Sequence, residues 1–84
     1  MYYFYLLKSE KTGNAYYGHT NNLKKRFYQH NNGENQTTKY GIPWKLVYYE
    51  AYLSKDLAKQ REYRVKAHGK GLFDIKKRAS FDDA

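Results

Sequence analysis

The sequence predicts a small α+β domain: a three-stranded antiparallel sheet with helices packed on it, in the order β-β-α-β-α with a short final α. Three observations lead there. Residues 2–7 form a continuous aromatic and aliphatic run, residues 44–52 alternate, and residues 22–30 and 55–67 carry apolar side chains at helical spacing. At 84 residues the chain has room for one domain, expected over residues 1–79, with a frayed acidic tail at 80–84. So short a chain buries only about 60% of its unfolded surface, so its core must lean on large side chains. Eleven tyrosines, four phenylalanines and Trp44 supply them, and a tyrosine buries its ring while keeping a polar tip.

The first strand spans residues 1–8, where Tyr2-Tyr3-Phe4-Tyr5-Leu6-Leu7 is too short and too rich in β-formers for a helix, and reads as buried on both faces. Residues 9–14, with Thr12-Gly13-Asn14, make a turn into a second strand at residues 15–18, giving an antiparallel hairpin. Gly18 ends that strand and lets a ligand or another chain approach the backbone. Thr20, Asn21 and Asn22 can each cap a helix over residues 22–30, whose stripe is Leu23 and Phe27, and Asn31-Asn32-Gly33 stops it. Residues 34–43 are polar and without period, so they read as a surface loop.

In the third strand, residues 44–52, alternation puts Trp44, Leu46 and Tyr48 on one face and Lys45, Val47, Tyr49 and Ala51 on the other. Ser54 caps a helix over residues 55–67 with Asp56 at its positive end. Leu57, Ala58 and Val65 form its stripe and Glu62 borders it; Arg61 falls inside the stripe, where only a snorkelling stem accommodates it. His68-Gly69-Lys70-Gly71 breaks this helix, and Leu72, Phe73 and Ile75 suggest a short third one ending in Lys76-Lys77-Arg78.

Sixteen Lys and Arg against eight Asp and Glu give a net charge of +8, which favours a polyanionic partner. The basic clusters at residues 24–26, 59–66 and 76–78 are expected to form one face. There is no cysteine, hence no disulfide framework and no thiolate metal site, which suits the cytoplasm. No apolar run reaches membrane-spanning length and the amino terminus lacks a secretory pattern. A monomer or weak homodimer is expected.

The chemistry concentrates in residues 16–30, where an aromatic strand passes through a glycine into a basic helix. Arg26 and His30 are four apart on the edge of the apolar stripe, so Tyr16, Arg26 and His30 can converge on an oxyanion, with phosphate the natural candidate. Lys24 and Lys25 point away from the stripe. His19 and His30, with no carboxylate at ligand spacing, do not make a zinc site. Tyr5, in a buried strand, reads as core on its position alone.

These residues carry a resemblance. Tyr3-Phe4-Tyr5, Tyr16-Tyr17-Gly18 about ten residues later, Arg26 and His30 on the next helix, Glu62 on the one after, and the stretch from Pro43 to Glu50 in register resemble the GIY-YIG nuclease superfamily, in particular its small single-domain bacterial group. The resemblance implies divalent-metal-dependent cleavage of phosphodiesters in DNA, in settings such as repair or recombination. By it, Tyr5 and Tyr16 match the two motif tyrosines, Arg26 the phosphate-binding arginine and His30 the histidine one turn later. Glu62 matches the metal-binding glutamate, for Mg2+ or Mn2+. His19 stands where some members carry a lysine; with Lys24, Lys25, Lys59, Arg64 and Lys66 it is expected to contact DNA.

Two departures stand out: the first motif lacks its opening glycine, and no asparagine follows Asn35. The late asparagine's absence favours an alternative, a non-catalytic nucleic-acid-binding module that retains the fold. Tyr16, Arg26 and Glu62 together oppose it. A small interaction protein with an aromatic surface is the third class.

Overall fold

The computed structural model describes residues 1–67. Its elements are β1 (Tyr2–Ser9), β2 (Ala15–Thr20), α1 (Leu23–Asn31), a 3₁₀ turn (Lys39–Gly41), β3 (Trp44–Tyr52) and α2 (Lys55–Ala67). The expected third helix, the helix end at His68 and the acidic tail lie outside the described residues.

The three strands form one antiparallel sheet in the order β2-β1-β3. β1 is therefore central, which is why its unbroken apolar run is needed: Phe4, Tyr5, Leu6 and Leu7 are all buried, alternately on the two faces. One face gathers Phe4 and Leu6 with Val65 of α2, and Ala15, Tyr17, Val47, Tyr48 and Tyr52 pack around them. The other gathers Tyr5, Leu7 and Trp44 with Leu23 and Phe27 of α1, and Tyr16, Ile42 and Leu46. The two helices thus cover opposite faces. Lys24 and Lys25 on α1 and Lys59 and Arg64 on α2, all exposed, stand on opposite sides of the sheet rather than on the single basic face expected.

β2 runs two residues beyond Gly18, because His19 and Thr20 pair with Phe4 and Tyr3 of the central strand. Of the three cap candidates, Asn22 is the cap: its Oδ1 accepts from the Lys25 N–H at 3.0 Å, while Thr20 Oγ1 accepts from the Asn22 N–H at 3.1 Å. β3 has the expected bounds but not the expected faces. A bulge shifts the register, with Leu6 opposite Tyr48 but Leu7 opposite Leu46. Val47 and Tyr48 consequently pack on the same face, towards α2, while Trp44 and Leu46 stay on the α1 face.

α2 is capped by Ser54 Oγ, which accepts from the Leu57 N–H at 3.2 Å. Ala58 and Val65 are buried as expected, but Leu57 is 48% exposed. One residue turns a helix by roughly 100°, so with Ala58 against the sheet Leu57 faces solvent. Arg61 is not merely snorkelling. Its Nε and Nη2 donate to the two Glu50 oxygens at 2.9 and 3.3 Å, and Tyr48 and Tyr52 hydroxyls donate to the same carboxylate at 2.7 and 2.6 Å. Burial pushes the Glu50 carboxyl up, but the bonds from Tyr52, Tyr48 and Arg61 outweigh it and hold the group below the usual carboxylate range. The Tyr52 hydroxyl is pushed up to about 12 by its own burial and by Glu50.

The segment 34–43 is not a free surface loop. Thr38 and Gly41 are buried; the Thr38 carbonyl accepts from Trp44 Nε1–H at 2.7 Å and the Gly41 carbonyl from the Ser9 hydroxyl at 2.6 Å. Asn31 brackets the Trp44 backbone, donating to its carbonyl at 3.0 Å and accepting from its N–H at 2.6 Å. A Cβ at position 41 would run into the Trp44 ring, so glycine is required there. The segment is held by polar groups satisfying one another, which leaves no apolar period to read.

Candidate active site

Tyr5 points to the α1 face and lies opposite Gly18 in the strand register. A Cβ at position 18 would come within 2.9 Å of the Tyr5 hydroxyl. Position 18 is therefore glycine because this chain's own tyrosine leans across β2, the edge strand, into that space. The Tyr5 hydroxyl is hydrogen-bonded to His30 Nε2 at 2.8 Å, and His30 Nδ1 to Thr38 Oγ1 at 2.8 Å. The Tyr16 ring lies tilted 5.1 Å from His30 and edge-on 6.4 Å from Trp44.

Arg26 is half-buried on α1 while Lys24 and Lys25 are exposed, as the helical phase requires. His30 is 0% exposed, and both its nitrogens are engaged. It does not face an incoming oxyanion beside Arg26; it holds Tyr5. Burial, and next the Arg26 guanidinium, push the His30 imidazole down to about 4. Burial pushes the Tyr5 hydroxyl well up, Tyr16 and Glu62 add to this, and Arg26 opposes it. Tyr16, Arg26 and Glu62 thus act electrostatically on one hydroxyl. Thr38 was not singled out in the sequence, where a threonine in a polar loop carries no signal.

Glu62 approaches from the other face. Its Oε1 meets His19 Nδ1 at 2.8 Å and its Oε2 meets Lys66 Nζ at 2.6 Å. Lys66 also lies over the Tyr17 ring, 5.6 Å from its centroid. Burial raises the Glu62 carboxyl, but Lys66 and His19 outweigh that and hold it below the usual range, so it is ionised at neutral pH. The two arginines that flank it on α2 do not support it: Arg61 binds Glu50, and Arg64 is exposed. His19 and Lys66, expected to contact DNA, are tied to Glu62. Lys59 and Arg64 line a shallow groove on the outer side of α2 with Asp56, Gln60 and Tyr63.

The candidate residues therefore wrap around the edge strand. Tyr5, Tyr16, Arg26 and His30 lie on one side, His19, Glu62 and Lys66 on the other, with Gly18 between Tyr17 and His19. Among the described residues no three His, Cys, Asp or Glu side chains are grouped to hold a metal. One ionised carboxylate suits a hard cation such as magnesium, which keeps water and takes substrate phosphate oxygens as further ligands. It does not suit zinc.

The buried imidazole has a consequence for stability. Unfolded, His30 binds a proton near pH ~6.5; folded, only near 4. The unfolded state thus binds more protons between these values, and stability falls as the pH drops from 6.5 to 4, by about 3 kcal/mol at most. Denaturant titrations at pH 7 and pH 4.5 should show this loss in the wild type and a smaller one in His30→Gln. Equal losses would place the acid sensitivity elsewhere.

The model of the GIY-YIG catalytic domain matches residues 1–74. Among similar proteins, the UPF0213 protein of Bacillus pumilus is 42% identical over 66 residues, covering 77% of this chain and 66% of its own. UPF0213 protein CPE1444 of Clostridium perfringens is 46% identical over 67 residues, 79% of this chain and 71% of its own. UPF0213 protein SSP2268 of Staphylococcus saprophyticus is 39% identical over 66 residues, 77% and 79% respectively. The chain thus spans about two thirds of the Bacillus pumilus relative. No solved structure matches. With its three-stranded sheet, its two motif tyrosines on adjacent strands and this match over most of its length, the chain belongs to the GIY-YIG catalytic domain family.

Proposed function

We propose that this protein is a metal-dependent endonuclease that hydrolyses phosphodiester bonds in DNA, in the cytoplasm, in repair or recombination. The supporting observation is the gathering of Tyr5, Tyr16, Arg26 and Glu62 around one point of the edge strand, close enough for the last three all to act on the Tyr5 hydroxyl. No helix of the described residues is long and apolar enough to cross a membrane, and +8 of net charge suits a nucleic-acid partner.

In this reading the Arg26 guanidinium contacts the scissile phosphate as it gains negative charge, its fork of donors matching the phosphate oxygens. Tyr16 orients the attacking water or takes its proton. The Arg26 guanidinium lies on the same side of the sheet as the Tyr16 ring, so both can face one phosphate. Glu62 would hold the cation, Mg2+ or Mn2+, through one carboxylate oxygen, freeing Lys66 or His19 to turn towards the DNA. Such a cation, when bound, neutralises phosphate charge and stabilises the departing 3′ oxygen. Lys24, Lys25, Lys59 and Arg64, on opposite sides of the sheet, bind the flanking backbone.

The test is a panel of labelled nicked, flapped, branched and linear duplexes, with RNA counterparts. Cleavage of at least one DNA substrate with magnesium or manganese, abolished by chelation, is expected. Failure on every substrate overturns the reading.

A further inference from the structure

The Tyr5–His30–Thr38 chain is buried, and its hydrogen bonds have a direction that proton counting decides. Tyr5 is 2%, His30 0% and Thr38 1% exposed. Burial, and next Arg26, keep His30 neutral at pH 7, so its ring offers one N–H and one bare nitrogen. Only two orders are then available. In the first, the Thr38 hydroxyl donates to Nδ1 and the Nε2–H donates to the Tyr5 oxygen. In the second, Tyr5 donates to Nε2 and the Nδ1–H donates to Thr38.

The two orders differ in where a spare hydroxyl proton is left. The second strands it on Thr38, which has no acceptor other than His30 among the described residues. The first leaves it on Tyr5, whose hydroxyl leans across the edge strand into the space at Gly18, in the field of Arg26 and with no further acceptor among the described residues. Both residues are buried, but the Tyr5 hydroxyl lies against the glycine of the edge strand within reach of Tyr16, Arg26 and Glu62, whereas among the described residues the Thr38 hydroxyl meets only His30.

We infer that Thr38, acting through His30, turns the Tyr5 hydroxyl outward so that it donates a hydrogen bond to a phosphate oxygen of the substrate strand. This rests on the endonuclease reading. Tyr5 is then a donor and not a base, in keeping with burial, Tyr16 and Glu62 all favouring its protonated form. The attacking water is left to Tyr16. Thr38 and His30 are positioning residues, and the polar segment 34–43 is linked to the chemistry through one hydroxyl.

Nitrogen NMR of protein labelled at histidine tests the order of bonds without any substrate. Wild-type His30 should show a bare Nδ1 and a protonated Nε2. Thr38→Val keeps the shape and removes the donor; its single-turnover cleavage should fall about a hundredfold while DNA affinity changes by less than about twofold. The His30 tautomer should change with it. Thr38→Ser should restore both the tautomer and the rate. A wild-type His30 protonated on Nδ1, or Thr38→Val cleaving at the wild-type rate, overturns the inference. Should the wild type cleave nothing, the endonuclease reading fails, and the His30 tautomer alone still decides the direction of the chain.

Discussion

Arg26→Ala should slow cleavage about a hundredfold to a thousandfold and leave the fold intact. The helix is held to the sheet by Leu23 and Phe27, which pack against the Tyr5, Leu7 and Trp44 cluster, so removing the guanidinium takes little from the core. What it removes is a charged, bidentate donor for a phosphate passing through its most negative state, where a single preorganised donor contributes about 3–4 kcal/mol, or a hundredfold to a thousandfold in rate. Single-turnover cleavage and thermal melting of both proteins check the two halves. The exchange has a second signature. Arg26 is one of the two causes holding the His30 imidazole down, so in the variant His30 should titrate at a higher pH. Lys25→Ala, by contrast, loses an exposed charge and should only weaken DNA binding. Equal cleavage by wild type and Arg26→Ala would remove Arg26 from the site.

Much of this architecture was legible because the sequence's local signals agree with the fold. An unbroken apolar strand must be central, and β1 is; a capping serine before a periodic stretch gives α2 its start. The tyrosine-glycine junction pointed to the candidate site, and the glycine there is explained by the chain's own Tyr5 filling the space at Gly18. The bulge at Val47 was not legible, since an inserted residue leaves the composition of a strand unchanged while flipping everything after it. The Glu50 cluster, in contrast, was written in the sequence and passed over. Tyr48, Glu50 and Tyr52 share a face at the strand period of two, and Arg61 is the charged residue inside the sheet-facing stripe of α2. A carboxylate facing a misplaced guanidinium is a pairing signal. Thr38 had no such counterpart: its partner His30 is eight residues away, and only the path of segment 34–43 brings them together.

Glu62→Gln carries the largest expected effect, because it separates an enzyme from a binding module with one exchange of an oxygen for an amide nitrogen. Glutamine keeps the volume and the helix propensity, and its carbonyl oxygen can still accept from Lys66 or His19, so the fold should hold. The pair with Lys66 sits at the surface, with 54% of the lysine side chain exposed, and such pairs add little to stability. The lost charge matters for a hard cation, which an amide oxygen binds far more weakly than a carboxylate. Magnesium or manganese affinity, measured by calorimetry, should collapse. Cleavage should fall on the order of a thousandfold or more, since the developing charge on the leaving oxygen is no longer met. DNA binding should survive and tighten slightly, because Lys66 is released from its partner to face the phosphates. If Glu62→Gln cleaves as fast as the wild type, Glu62 is a surface residue held by two cations, and the metal assignment falls. If the wild type neither binds a divalent cation nor cleaves any substrate, while its DNA affinity still falls with added salt, the paired state of Glu62 with His19 and Lys66 is its working state. The chain is then a nucleic-acid-binding module built on a nuclease fold.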